Sequence, residues 1–390
     1  MKVRQPYYYK QFKCTMSKCK DNCCRASWDI EVDEDAVNYY KASIYEDKLM
    51  NSIEDTEGYD CFKKKNGACV WLEKNGLCGM YGRFGEEYLA NVCVQFPRFT
   101  EYFGDFKETG IGCACEEAVR IILESDINFK TEEIEEAYDV SDENCAEKIN
   151  EKLKDFVFTL REELFKIFAD GKMSSGRKLT IYLNVCSELQ DVINSKEFLK
   201  EDADYKNRIY DTIERVTFDV LHKASYKDDI SAETEEILTA FFEVPDMEEE
   251  YEKAHTKLEK LISKKYHGKK IIKAFKESRN VIEKQKRADD YDKFIIYLIY
   301  RYFGKAVFDG DILLKAKFAV AMYICLRLFD IYYLEINNNV MTLEDRIEQI
   351  KMISRQFEYS EDNMEQLTED FLFEEGFSRS AFRKILAVFY

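Results

Sequence analysis

Residues 153–168 read LKDFVFTLREELFKIF. The apolar positions Leu153, Phe156, Val157, Leu160, Leu164, Ile167 and Phe168 fall at steps of three and four. That is the period of one buried face of an α-helix. The same spacing recurs in Leu179–Ile193, Tyr205–Leu221, Glu248–Ser263, Tyr291–Phe303, Ile312–Tyr333 and Leu343–Ser354. Seven to nine helices in an all-α domain over residues 126–390 are therefore expected. Only one of the three prolines (Pro245) and six of the 15 glycines lie in this part, so few breakers interrupt it. Gly171–Arg177 reads as an interhelical loop and the acidic stretch Thr131–Asn144 as a linker.

Working back toward the start of the chain, the composition changes. Ten of the 13 cysteines precede residue 116: Cys14, Cys19, Cys23, Cys24, Cys61, Cys69, Cys78, Cys93, Cys113 and Cys115. Residues 1–125 also hold nine glycines and the other two prolines. The reading is loops and short elements around cysteines, with helices at Glu34–Lys48 and Glu116–Glu124. The segments Cys69–Leu72 and Leu77–Tyr81, on either side of a turn at Glu73–Gly76, suggest a hairpin or knuckle. The expected architecture is thus mostly α: a small cysteine-rich, metal-binding N-terminal module, residues 1–125, packed on an all-helical domain, residues 126–390.

The remaining composition excludes several classes. The 390 residues carry a net charge of −18, which disfavours general binding to phosphate backbones. Phe294–Phe303 is too short to span a bilayer, and Ile312–Leu334 carries Lys315, Lys317, Arg327 and Asp330, so no membrane segment is expected. The opening Met1–Pro6 lacks the apolar run of a secretory signal, which points to the cytoplasm. In that compartment a cysteine cluster reads as metal binding rather than as disulfides. Thiols in this number suit an iron–sulfur cluster or zinc. Paired CxxC spacings, usual in zinc knuckles, are missing, which favours a [4Fe–4S] cluster and leaves zinc as the alternative. Radical chemistry on S-adenosylmethionine needs a CxxxCxxC loop. Cys19 and Cys23 give its first gap, but Ala26 stands at its third position. Cys145, Cys186 and Cys325 read as ordinary residues of the helical part, and His222, His255 and His267 form no metal pair.

Several strings together resemble one family. They are Gln5-Pro6-Tyr7-Tyr8, Phe12-x-Cys14, Cys19, Cys23-Cys24 and Trp28-Asp29-Ile30, then Cys69-Val70-Trp71-Leu72 and Gly76-Leu77-Cys78-Gly79-Met80-Tyr81. Gly85–Ala90, Cys93, Phe96-Pro97-Arg98 and Cys115–Arg120 follow in order. The order and spacing are similar to the opening of flagellin lysine-N-methylases (FliB-like proteins). The cysteine part also resembles a broader zinc- or iron-chelating cysteine-cluster family. The resemblance covers residues 5–124; the helical remainder has the right length and composition but no sharp motif. Where the family has Pro after its last cysteine this chain has Glu116, with an extra Cys113 before it. The Glu-Ala-x-Arg tail matches Cys115 to the family ligand.

The resemblance implies methyl transfer from S-adenosylmethionine to lysine side chains of flagellin, by a protein that holds an iron–sulfur cluster. Its metal ligands would be Cys14, Cys19, Cys23, Cys24, Cys69, Cys78, Cys93 and Cys115, with Cys61 peripheral. No glycine-rich loop follows a strand and no βαβ alternation occurs, so a Rossmann-type donor site is not expected. The catalytic residue is not located by any motif. Tyr8 and Trp28, with Tyr7, Tyr9 and Phe12, are either an aromatic cage for the cationic donor or packing around the metal module. Arg98 either pairs with the donor carboxylate or hydrogen-bonds the sulfurs or a structural acid. A non-enzymatic metal-binding protein, for electron transfer or as a scaffold for a basic partner, is the competing reading.

Overall fold

The computed structural model describes residues 1–25, 28–136, 149–195, 198, 204–222 and 230–390. The chain opens with strand β1 (Lys2–Pro6), and three short 3-10 turns carry it from Tyr9 to Arg25. Helix α1 (Glu34–Lys41) starts where the Asp33 carboxylate accepts the Ala36 N–H at 3.0 Å. Helix α2 (Glu46–Met50) follows. The single helix expected over Glu34–Lys48 is broken between them, because the Ser43 hydroxyl captures the Tyr45 N–H at 3.1 Å and turns the chain. Next come β2 (Ile53–Thr56), β3 (Tyr59–Phe62), β4 (Lys64–Lys65), β5 (Ala68–Cys69), α3 (Gly79–Phe84) and α4 (Asn91–Gln95). Strand β6 (Arg98–Tyr102), strand β7 (Phe106–Ile111), helix α5 (Glu116–Glu124) and strand β8 (Thr131–Glu135) complete the first third. Helix α5 has the expected bounds. The expected hairpin at Cys69–Tyr81 is reduced to one bridge, Leu72 to Cys78, after which the chain turns helical at Gly79.

Turn signals and cysteines gave no hint of the sheet these strands form. Its order is β6-β7-β1-β8, with β1 parallel to β7 and antiparallel to β8. The linker expected over Thr131–Asn144 is therefore corrected for its first part: Thr131–Glu135 is an edge strand, while 137–144 lie outside the described residues. Its acidity is what fits it there. Glu133 meets Arg4 at 3.0 Å, and Glu132 accepts from Gln5 at 2.7 Å and pairs with Lys10 at 2.8 Å. Opposite charges across a ladder stabilise the pairing.

The rest of the described chain is helical: α6 (Glu151–Ala169), α7 (Ser175–Ile193), α8 (Tyr205–His222), α9 (Ser231–Phe242), α10 (Glu249–Leu261), α11 (Lys270–Lys284), α12 (Asp289–Tyr302), α13 (Ala306–Asp309), α14 (Ile312–Ile336), α15 (Leu343–Glu358), α16 (Glu361–Phe373) and α17 (Arg379–Leu386). These are twelve helices among the described residues, more than the seven to nine expected. Side-chain caps set boundaries that periodicity leaves vague: Asn150, Ser174, Asp311, Ser360 and Ser378 each accept a first-turn N–H, and Thr342 with Asp345 forms a full capping box. Helix α14 is buried on nearly all sides, with Arg327 and Asp330 inside the core. No helix among the described residues is long and apolar enough to cross a membrane.

Two hydrophobic cores form among the described residues. The smaller runs from Ile30 to Ala90 and includes Val37, Tyr40, Leu49, Phe62, Trp71 and Met80. The larger joins the helices to the sheet and α5 through Phe103, Phe106, Ile111, Val119 and Ile122. A buried, two-pronged ion pair fastens the sheet to α6: Arg161 reaches the Glu108 carboxylate at 2.7 and 2.5 Å. The Tyr300 hydroxyl adds bonds to the carbonyls of Thr109 (2.9 Å) and Arg4 (3.1 Å).

Candidate functional site: the seam between the cysteine-rich segment and the helices

Several loops carry the cysteines toward one another. The Asn22 side chain accepts the Cys24 N–H at 2.9 Å and donates to the Gly76 carbonyl at 3.2 Å, tying the loop of Cys23 and Cys24 to the turn before Cys78. Cys78 caps α3, Cys69 ends β5, Cys93 lies in α4 and Cys115 caps α5. Their thiols feel one another. A hydrogen bond from Cys24, ahead of Arg355, lowers Cys23 to about 7 against the cost of burial. The same bond, then desolvation, Cys69 and Cys78, raises Cys24. Desolvation first, then neighbouring thiols that include Cys23, pushes Cys69 up to about 11 and Cys93 to about 12, although Cys93 sits at the surface. Cys115 is raised to about 11 by desolvation, against hydrogen bonds from the backbone of α5, with Cys23 and Cys14 adding. Cys19 is raised to about 12 by desolvation and Glu116, with a smaller push from Cys115.

Crowded, desolvated thiols that resist ionisation are the donors a thiophilic cation would relieve. The donor chemistry therefore suits iron or zinc. The arrangement does not close, however: among the described residues no three His, Cys, Asp or Glu side chains stand as a metal-ligating group. Cys61 stands apart in β3, buried and influenced by Thr56, Asp29 and Glu31 rather than by another thiol. Cys113 is fully buried. Cys186 and Cys325 lie in the helical core, and Cys145 lies outside the described residues.

One layer inward, Arg355 of α15 links the cysteines to the helices. Its Nε donates to the Ala114 carbonyl at 3.0 Å and its guanidinium pairs with Asp21. Lys351 meets the same carboxylate at 2.6 Å. Arg355 lies 5.3 Å over the Trp28 ring, and Trp28 packs on Tyr359 and Phe96, each with centroids 5.7 Å away.

Beyond Tyr359 a groove of about 440 Å³ opens between β6 and the helices, reached by Phe99, Arg301, Tyr302, Glu358 and Tyr359. Its floor is Glu358, whose side chain is 1% exposed. One oxygen, Oε2, accepts from the hydroxyls of Tyr297 (2.7 Å) and Tyr302 (2.8 Å) and lies 3.2 Å from Arg301. The other, Oε1, is buried with no hydrogen-bond partner. The Arg301 guanidinium stacks 4.9 Å from Phe99 and 5.1 Å from Tyr359. Burial drives the Tyr297, Tyr302 and Tyr359 phenols above their ordinary range, so they remain donors at neutral pH. The Cys113 N–H completes the network by donating to Tyr297 at 3.1 Å. A carboxylate with an idle lone pair, set among aromatic faces, is a receptor for an amine or ammonium.

The sequence-expected donor residues fall around this groove rather than in it. Trp28 is one ring behind its wall. The Arg98 guanidinium lies over Phe12 at 5.1 Å and bonds the Val94 carbonyl at 3.5 Å. Tyr8 is core, edge-on to Phe129 at 6.2 Å. Sequence reading missed Glu358, Arg301, Tyr297, Tyr302 and Tyr359. Arg301, a cation at the end of the apolar run Tyr291–Phe303, was the one visible signal.

Residues 161–386 match the FliB lysine N-methylase C-terminal domain. The chain belongs to this family. The matched segment is the helical part, where no motif was apparent, and it includes Arg301, Arg355 and Glu358. The cysteine-rich module lies outside it. Two relatives named lysine-N-methylase, from Salmonella typhimurium strain LT2 and Salmonella choleraesuis strain SC-B67, are each 28% identical over 134 residues, covering 31% of this chain and 32% of theirs. The chain thus spans about a third of the length of the curated relatives it matches. No solved structure matches.

Proposed function

We propose that this protein is a protein-lysine N-methyltransferase that uses S-adenosylmethionine to methylate lysines of flagellin in the cytoplasm, with transfer in the groove over Glu358. The observation that carries the reading is the unpartnered, buried Oε1 of Glu358 in a chain of the FliB lysine N-methylase family. The donor supplies an electrophilic methyl on a sulfonium. The chain's residues handle the amine. A lysine amine attacks only when neutral, and its ordinary pKa is about 10.4. Glu358 Oε1 receives the ammonium and takes its proton as the side chain leaves water. Tyr297, Tyr302 and Arg301 hold the carboxylate in place through Oε2, and Phe99 and Tyr359 keep the Arg301 guanidinium beside it. The N–CH₃ bond forms as the S–CH₃ bond breaks, the demethylated donor departs, and the proton passes from Oε1 to water.

A metal, iron–sulfur or zinc, would be held by thiols drawn from Cys14, Cys19, Cys23, Cys24, Cys69, Cys78, Cys93 and Cys115. Its contribution would be to fix the loop that positions Trp28 and Arg355 behind the groove. The net charge of −18 suits a basic side chain as substrate and disfavours nucleic acid.

The test is incubation with flagellin and methyl-labelled donor, followed by peptide mapping. Label should appear on lysine, and Glu358→Gln should lower the rate about a hundredfold or more while the helical content is kept. Intact protein that neither labels flagellin nor binds the donor would leave the non-enzymatic metal-binding reading.

A further inference from the structure

A second cavity, of about 500 Å³, lies wholly in the helical body, between the start of α7, helices α11, α12 and α14, and the final residues Phe389 and Tyr390. Asp292 on its wall is about 14 Å along α12 from Arg301, at 1.5 Å per residue, so this cleft is separate from the groove over Glu358.

Most of its charges are spoken for. Lys178 pairs with Asp292 Oδ2 at 2.7 Å, Arg279 with Glu283 at 2.8 Å, and Arg327 with Asp330 at 3.5 Å. Two are not. Asp292 is 5% exposed; burial raises its carboxyl above the ordinary range, against the opposing pull of Lys178 and the Ser175 hydroxyl, and its second oxygen, Oδ1, is buried with no hydrogen-bond partner. Arg177 is half-buried over the Tyr390 ring at 5.5 Å, its Nε has no partner, and no carboxylate of the described residues pairs with it. Arg177 also stands in the first turn of a 19-residue helix, whose amide dipoles favour a negative charge. The cleft therefore offers one idle cationic corner and one idle anionic corner, with the rings of Tyr291, Tyr323 and Phe389 along its walls. A simple anion would satisfy the first and repel the second. A simple cation would do the reverse.

We propose that this cleft binds an α-amino acid group, with its carboxylate on Arg177 and the start of α7 and its ammonium on Oδ1 of Asp292. The group has two sources: a free amino acid, or the amino-acid end of a molecule of the methyl donor or of its demethylated product held apart from the one that reacts in the groove. The site is inferred from this cleft alone and does not rest on transfer occurring in the groove.

Calorimetric titration of the full chain with methionine and with S-adenosylhomocysteine tests it. At least one should bind. Equal affinity identifies the amino acid group as sufficient, and tighter binding of S-adenosylhomocysteine shows that the aromatic walls take the nucleoside; both support the site. Arg177→Gln, at a half-exposed position outside the buried ion pair, should weaken binding about tenfold or more. Asp292→Asn should do the same, and Glu358→Gln should not. Methionine analogues lacking either the amine or the carboxylate should bind at least tenfold more weakly. No binding by either ligand, analogues that bind as well as methionine, or an affinity that Arg177→Gln leaves unchanged would overturn the assignment. So would an affinity lost only in Glu358→Gln, which would put the ligand in the groove. Cleft binding that persists while flagellin stays unlabelled would instead count against the methylase reading alone.

Discussion

Replacing Arg161 with Met should cost about 4 kcal/mol of stability. Arg161 is fully buried and makes two short bonds to Glu108, whose side chain is 3% exposed. It also stacks over Phe158 at 4.5 Å and Tyr300 at 5.4 Å. Met fills much of the space and is flexible enough to settle among the rings, so cavity formation is a small part of the cost. The large part is electrostatic. Glu108 would keep only Arg4, at 3.4 Å and partly in water, and breaking a buried pair by removing one partner costs about 3–5 kcal/mol. The double variant Arg161→Met with Glu108→Gln should recover about 2 kcal/mol of that, because no uncompensated charge remains in the core. Denaturant unfolding of all four proteins gives the cycle. Helical dichroism reports the large body, and the two tryptophans report the seam (Trp28) and the small core (Trp71). A cost below about 1 kcal/mol for Arg161→Met, or a double variant less stable than either single one, would refute the argument that this pair fastens the sheet to the helices.

Other consequences are checkable. A Cβ at Gly112 would lie 2.3 Å from the Tyr359 hydroxyl and 2.8 Å from Arg301 Nη1. Gly112→Ala should therefore cost about 1–3 kcal/mol and lower methyl transfer, read by unfolding and by the labelling assay. Burial lowers His255 to about 4 from 6.5, so the unfolded chain binds its proton more readily. The resulting stability, up to about 3 kcal/mol, is full above pH 6.5 and fades as pH falls toward 4; His255→Phe, still able to pack on Tyr251, should flatten that part of the stability–pH curve. Cys23→Ser with Cys24→Ser should lower the iron or zinc content of anaerobically purified protein, whereas Cys325→Ser should leave it unchanged; equal metal in all three would remove these thiols from the ligand set. Trp28→Ala, which takes away the ring between Arg355 and Tyr359, should reduce transfer more than it reduces helicity.

The helical body was legible in the sequence because amphipathic helices write their buried face at a fixed local step. Leu153–Phe168, Leu179–Ile193 and Leu343–Ser354 all fold as that step requires. Composition likewise marked the cysteine-rich third. Helices α9, α11, α13, α16 and α17 went unmarked, although α11 and α17 carry a clear apolar stripe, with Ile271, Phe275 and Ile282 buried on one and Phe382, Ile385 and Leu386 on the other. The sheet was invisible for another reason: β1 pairs with β7 a hundred residues later and with the acidic β8 beyond it. No local pattern records which distant strand will supply the opposite charges.

The candidate groove depended on tertiary structure still more. Glu358 looks in sequence like any exposed acid at the end of a helix. Only packing brings Tyr297, Tyr302 and Arg301 from α12 onto one of its oxygens and leaves the other idle. The same holds for Asp292 and Arg177, more than a hundred residues apart, each left with an unmet polar atom in one cleft. By itself, then, the sequence determined the helices and the gathering of thiols in one segment, since periodicity and composition are local properties. Which strands pair, which cores form and which charges stay unsatisfied were decided only by the tertiary structure, because each is a property of side chains that meet from distant parts of the chain and exclude water together.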